Sequence, residues 1–164
     1  MRENFDKALQ LMLKHEGGFV NHPSDPGGMT NLGVTQRVYE EWVGYEVTKQ
    51  DMMKLTIYLK NYWEKASCDE LPSGLDYVVF DWAVNSGVSR SSKGVQKCCG
   101  AEPDGVIGPK TLELIAGQNN KYMVEKFKEI RQDFYEGLNH FDTFGNGWTR
   151  RNNEATEIAL EMVE

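Results

Sequence analysis

The stretch Phe5-Asp6-Lys7-Ala8-Leu9-Gln10-Leu11-Met12-Leu13-Lys14-His15-Glu16-Gly17-Gly18 decides how the chain begins to fold. Phe5, Ala8, Leu9, Met12 and Leu13 recur at i, i+3, i+4, i+7 and i+8, the single apolar stripe of an amphipathic helix. The Gly17-Gly18 pair ends that helix. The next stretch, residues 19–35, holds Pro23, Pro26, Gly27, Gly28 and Gly33. These exclude a long helix and predict an irregular loop or short hairpin.

Working outward, Val38, Tyr39, Trp42 and Val43 mark a second helix that stops at Gly44. Thr48 and Asp51 have the spacing of a capping box for a third helix. Residues 56–66 continue helically. Leu75, Val78, Val79, Trp82 and Ala83 define a central apolar helix closed by Gly87, and residues 89–99 form a short one. Asp104-Gly105 is a turn signal in the loop before Pro109, which suits a first helical turn. A long amphipathic helix is expected over about 120–138 and a last one over 148–162, separated by a turn-rich segment at 139–147. The fold class is therefore mainly α, with one irregular hairpin or loop after the first helix. Residues 1–74 are read as an N-terminal part and residues 75–164 as a second helical part packed on it.

Composition narrows the function classes. Eighteen Lys and Arg stand against 25 Asp and Glu, a formal net charge of −7. A nucleic-acid partner needs a cationic surface, and so does a polybasic membrane anchor. Neither is expected. Arg150-Arg151 and Lys121, Lys126 and Lys128 are the two groupings that could offset this charge locally. The longest apolar runs are far short of a membrane span, and the N-terminus lacks the apolar block of a signal peptide. Synthesis in the cytoplasm is expected. Three cysteines, Cys68, Cys98 and Cys99, make a poor disulfide framework. Three scattered histidines, His15, His22 and His140, suggest no metal site. No cofactor is implied.

Glu16 is the residue whose position calls for chemistry. It sits at the C-terminal end of the first helix, where the helix dipole is negative and disfavours a carboxylate. Partial burial would act in the same direction. A carboxyl that keeps its proton near neutral pH suits a general acid in glycoside hydrolysis. Asp25 follows nine residues later and Thr30 five after that. A reversing loop could bring the hydrated aspartate and the hydroxyl back toward Glu16, where they could orient a water or steady an oxocarbenium-like centre. By spacing alone, Glu16 could equally be solvated surface and Asp25 a turn residue between Ser24 and Pro26.

The run Glu16-Gly17-Gly18-Phe19-Val20-Asn21-His22-Pro23-Ser24-Asp25-Pro26-Gly27-Gly28-Met29-Thr30-Asn31-Leu32-Gly33-Val34-Thr35 closely resembles the N-terminal motif of glycoside hydrolase family 108, phage-type N-acetylmuramidases. Glu16 matches the family's acid, and Asp25 and Thr30 match its Asp and Thr positions. Phe19 replaces the family's usual Tyr. Downstream, Phe80-Asp81-Trp82-Ala83-Val84-Asn85-Ser86-Gly87 resembles the family's central helix. Asp104-Gly105-Val106-Ile107-Gly108-Pro109-Lys110-Thr111 resembles the turn motif of its peptidoglycan-binding half, and Gly147-Trp148-Thr149-Arg150-Arg151 its closing segment.

The resemblance implies a lysozyme-like fold and a muramidase that cuts the β-1,4 bond between N-acetylmuramic acid and N-acetylglucosamine. It implies bacterial peptidoglycan as partner, a monomer, and action on the wall from the periplasm after release from the host cytoplasm by a holin or a secretion system. A lytic transglycosylase on the same bond and a non-catalytic wall-binding module are the alternatives. Asp81 and Asn85, four apart on one helix face, could hold sugar hydroxyls or a water, or could be a bonded pair that fixes the central helix. Asp81 also rivals Asp25 as second carboxylate. His22 is a candidate for substrate contact. Trp148 is a candidate stacking platform or a plug between the two parts.

Overall fold

The computed structural model describes residues 2–15, 30–31 and 34–163. The apolar stripe of helix α1 (Phe5–His15) is buried along its whole length, with Phe5, Ala8, Leu9, Met12 and Leu13 at most 4% exposed. Its start is pinned by polar bonds. Asn4 Nδ2 donates to Asp76 Oδ2 at 2.8 Å and to Ser73 Oγ at 2.9 Å. Phe5 then meets Trp63 and Phe80 edge-on, with ring centroids 5.3 and 5.9 Å away, and Trp63 meets Phe80 at 5.4 Å. Edge-to-face contact is a favoured geometry for aromatic quadrupoles.

Part of the expected hairpin is present as a two-residue antiparallel ladder, β1 (Thr30–Asn31) with β2 (Val34–Thr35). The Gly17-Gly18 stop and most of the irregular segment 19–35 lie outside the described residues. Helix α2 (Gln36–Val43) follows β2 directly and gives way to Gly44, whose φ of +81° suits glycine. Helix α3 (Lys49–Tyr58) carries the expected capping box. Thr48 Oγ1 accepts from the Asp51 N–H at 3.2 Å, and Asp51 Oδ2 accepts from the Thr48 N–H at 2.8 Å.

The helical continuation expected over 56–66 is present, and from Leu59 to Glu64 it is π-helical. Leu55, Leu59 and Trp63 are four residues apart, and in an ideal α-helix such a series drifts around the axis. The wider π turn compensates the drift. All three side chains are buried, and Trp63 Nε1 donates to Asp69 Oδ1 at 2.7 Å.

Five helices follow: α4 (Leu75–Ser86), α5 (Val88–Cys99), α6 (Pro109–Ala116), α7 (Asn120–Glu136) and α8 (Phe141–Met162). Every residue of α4 from Leu75 to Ala83 is buried, so this helix is packed on all sides. Phe80 faces Phe5 and Trp63, while Trp82 meets Phe127 and Phe134 of α7 at 5.4 and 5.7 Å. Helix α8 lies antiparallel to α4: Arg151 meets Asp81, and Ala159 meets Gly74 at the other end. It is also antiparallel to α7, with Gln132 bonded to Thr149 and Lys128 to Asn152. The Asp104-Gly105 turn is held by one buried side chain. Gln96 Nε2 donates to Asp104 Oδ1 and Val106 O, and Gln96 Oε1 accepts from the Gly105 N–H. The architecture is the expected mainly α, lysozyme-like one.

Helix α8 starts at Phe141, seven residues before the expected Trp148. Gly145, Asn146 and Gly147 read as turn residues, yet Phe141, Phe144 and Trp148 are spaced i, i+3 and i+7 on one helical face. Their rings touch, with centroids 6.4 Å apart for Phe141–Trp148 and 5.8 Å for Phe144–Trp148. Gly145 is buried because the Phe141 ring occupies the space of a side chain there. Packing has overridden low helix propensity.

Gly94 on α5 serves the same purpose at the core. A Cβ there would lie 2.7 Å from Trp82 Cζ3 and 3.3 Å from Phe127 Cε2. Its absence lets α5 close on α4 and α7. Gly94→Ala is expected to cost about 1–3 kcal/mol through overpacking, read as a lowered urea midpoint at unchanged m-value.

Candidate functional site

The described residues frame the segment that carries the expected acid. Helix α1 ends at His15, so Glu16 is the next residue along the chain. Glu16, His22 and Asp25 lie outside the described residues. The chain re-enters at Thr30, whose backbone pairs with Thr35 in the ladder that leads into α2. The framing elements are therefore a helix anchored by its full apolar stripe and a short ladder fused to a second helix.

The other sequence candidates gather at the C-terminal half of α4. Asp81 is 0% exposed. Its carboxylate is shared by two guanidinium groups. Arg151 approaches with Nη2 at 2.9 Å from Oδ1 and Nε at 3.1 Å from Oδ2, and Arg131 with Nη1 at 2.9 Å from Oδ2. Arg131 is itself fully buried. Two cations around one carboxylate replace much of the hydration that each charge loses on burial. The sequence offered Asp81 as a sugar ligand or second carboxylate, and the structure places it inside the core. With no exposed surface and both oxygens taken, it anchors the core.

Asn85, one turn further along α4, continues the network toward the surface. Arg131 Nε donates to Tyr135 OH at 2.9 Å, and that hydroxyl donates to Asn85 Oδ1 at 2.6 Å. The same oxygen accepts from Ser86 Oγ at 2.6 Å. The Asn85 carbonyl oxygen is thus spent on protein donors. Asp81 and Asn85 do not bond each other directly; they are linked through Arg131 and Tyr135. Trp148 stacks on Tyr135, with centroids 5.5 Å apart and planes inclined by 23°. It is half-buried and flanked by Phe144, which is exposed, so this aromatic group reaches the surface at the α7–α8 turn.

Arg131, Arg151 and Tyr135 were missed as members of this cluster. A signal existed on α7. Met123, Val124 and Phe127 set a buried stripe on which Arg131 and Tyr135 also fall. A charge at a core position requires a buried partner, and Asp81 is the acid of the otherwise apolar stretch in the middle of α4. The basic groupings named from sequence have other engagements. Arg151 turns inward to Asp81, and Lys126 pairs with Glu129 at 3.3 Å.

Tyr77 and Trp82 are core residues; Tyr58 and Tyr62 are half-buried, their rings 6.1 Å apart. Cys68, Cys98 and Cys99 are free and buried. Burial pushes the Cys98 thiol up to about 12, which leaves it protonated and unreactive at neutral pH. Among the described residues no group of three or more His, Cys, Asp or Glu could hold a metal ion, and no helix is long and apolar enough to cross a membrane.

A family model described as glycosyl hydrolase 108 matches residues 9–87. That span runs from the middle of α1 through the end of α4 and includes Glu16, Asp25 and Thr30. Among solved structures, that of SagA from Brucella abortus is similar over 100% of this chain and 98% of its own, with 36% sequence identity and a TM-score of 0.78. No curated protein matches the chain.

The ion triad sets a test of its own. Asp81→Ala leaves two guanidinium groups without their shared carboxylate and is expected to cost about 3–5 kcal/mol. Tyr135→Phe removes one hydroxyl between Arg131 and Asn85 and is expected to cost about 1–3 kcal/mol. Urea unfolding followed by tryptophan fluorescence would rank them, and an Asp81→Ala protein as stable as wild type would show that the triad holds nothing together.

Proposed function

Since the chain belongs to glycosyl hydrolase family 108 and is a glycoside hydrolase directed at peptidoglycan, we propose that it hydrolyses the β-1,4 bond between N-acetylmuramic acid and N-acetylglucosamine with Glu16 as the general acid. The observation that carries this reading is the position of Glu16. It follows the last residue of a helix whose apolar stripe is wholly buried, inside the segment that matches the family. A rigid helix gives the acid a fixed point of attachment. The negative end of the helix dipole opposes its ionisation, which favours a carboxyl that arrives at the bond still protonated.

In this mechanism Glu16 gives its proton to the glycosidic oxygen as the bond from that oxygen to the muramic acid C1 breaks. Positive charge spreads over C1 and the ring oxygen. A water then adds to C1 and loses a proton to a carboxylate. Asp25 is our choice for that carboxylate, with Thr30 placing the water. Two observations support it. Asp81, the rival, has both oxygens engaged by Arg151 and Arg131. Thr30, expected to place the water, stands at the start of the ladder that leads into α2.

Glu16→Gln keeps the shape of the side chain and removes the proton donor. On purified peptidoglycan it is expected to lower the release of reducing ends by about 10²–10⁴-fold. Unchanged cleavage would remove Glu16 from the mechanism. Mass spectrometry of the wild-type products addresses the chemistry separately. Hydrolysis gives reducing N-acetylmuramic acid ends, whereas 1,6-anhydro ends would mark a lytic transglycosylase and overturn the water-attack step.

A further inference from the structure

A groove of about 660 Å³ lies between α5 and α7, closed at one end by Ser86 and Gly87 at the end of α4. Its apolar lining is Trp82, Ile130 and Phe134, and Arg90, Lys93 and Lys97 project along its α5 side. These three cations are spaced i, i+3 and i+7, which puts them on one face of the helix. Arg90 is held in place: its Nη1 donates to Ser86 O at 3.0 Å, and its guanidinium carbon sits 4.3 Å over the Phe134 ring. Among the described residues none of the three cations forms an ion pair. The acid in the lining is Asp133, on the α7 side. A concentration of cations in a chain of net charge −7 is a local field of opposite sign, suited to an anionic ligand.

We propose that this groove binds the peptide stem that hangs from the glycan strand. Stem carboxylates would meet Arg90, Lys93 and Lys97, and the free ammonium of a diamino acid residue would meet Asp133. The inference rests on peptidoglycan being the substrate. Two features fit this occupant. The run from Arg90 to Lys97 covers about 10 Å of helix, which an extended peptide spans with about three residues. The apolar lining gives the short aliphatic side chains of a stem a dry surface, and the groove's size is that of a small-ligand site. The glycan itself carries few charges, so it would leave the lysines unanswered.

The test uses the full chain as wild type, as the double variant Lys93→Glu/Lys97→Glu, and as Lys93→Arg/Lys97→Arg. Three substrates are compared. The first is purified sacculi that keep their phosphate polymers, and the second is the same sacculi stripped of them by hydrofluoric acid. The third is the stripped material freed of stems by an amidase, with the lactyl carboxylates so exposed capped as amides. The charge-reversed protein is expected to lose about tenfold in kcat/KM and in cosedimentation on stem-bearing sacculi, the effect of removing or reversing exposed charge contacts. It should match wild type on stem-free glycan, and the arginine variant should match wild type on all three. Equal loss on stem-bearing and stem-free material, or no loss on either, overturns the proposal. So does a loss seen only with sacculi that keep their phosphate polymers, which would assign the groove to phosphate. Wild-type protein that cuts none of the three would sink the muramidase reading instead. Cosedimentation would still decide the groove, because stem-dependent binding needs no cleavage.

Discussion

One carboxylate shared between two arginines holds the helical core in register. Asp81 on α4 receives Arg131 from α7 and Arg151 from α8. A hydrophobic contact tolerates sliding, since one methyl group is much like the next. A buried charge does not, because displacement by a single helical turn would leave it bare. The triad therefore defines where α7 and α8 stand along α4. Around it the apolar contacts settle: Trp82 against Phe127 and Phe134, and Phe80 against Phe5 and Trp63. Arg131 extends the same constraint outward through Tyr135 to Asn85.

The features legible in the sequence were those encoded by near neighbours. The stripe on α1 repeats within eight residues, and all of it is buried. The Thr48–Asp51 capping box needs only three residues of separation. The central helix announced itself by apolar density. Interactions across the chain were illegible in proportion to their distance. Asp81 was paired in the sequence reading with Asn85, four residues away, while its charged partner Arg151 lies 70 residues away. The start of α8 was obscured differently. Its glycines have low helical preference, and the ring that makes Gly145 necessary is visible only once Phe141 is folded over it. The Glu16 motif stood out as a pattern of residues, by likeness to a family, whereas no spacing rule could assign the water's path.

The charge of the chain is organised by the same division. Arginines near the middle of the fold are turned inward for structure, as with Arg131 and Arg151. The cations that face a groove are on α5, where Gly94 lets the helix back lie close against Trp82 and Phe127. Net charge alone argues for repulsion from an anionic wall, yet surface fields act over about a Debye length of 8–10 Å. At that range the local sign of a groove outweighs the sum over the whole molecule.

Gly87 is all that separates α4 from α5. It ends the first helix and begins the second, with a φ of +103° that side-chain-bearing residues rarely adopt. One residue leaves no slack, since consecutive Cα atoms stand about 3.8 Å apart. The joint works as a hinge pin with no play. It couples the Asn85 end of the buried network to Arg90 on the groove, and Arg90 reaches back across the joint to Ser86. A molecule seated against Arg90 is thereby placed in fixed register with α4, and through α4 with the start of α1.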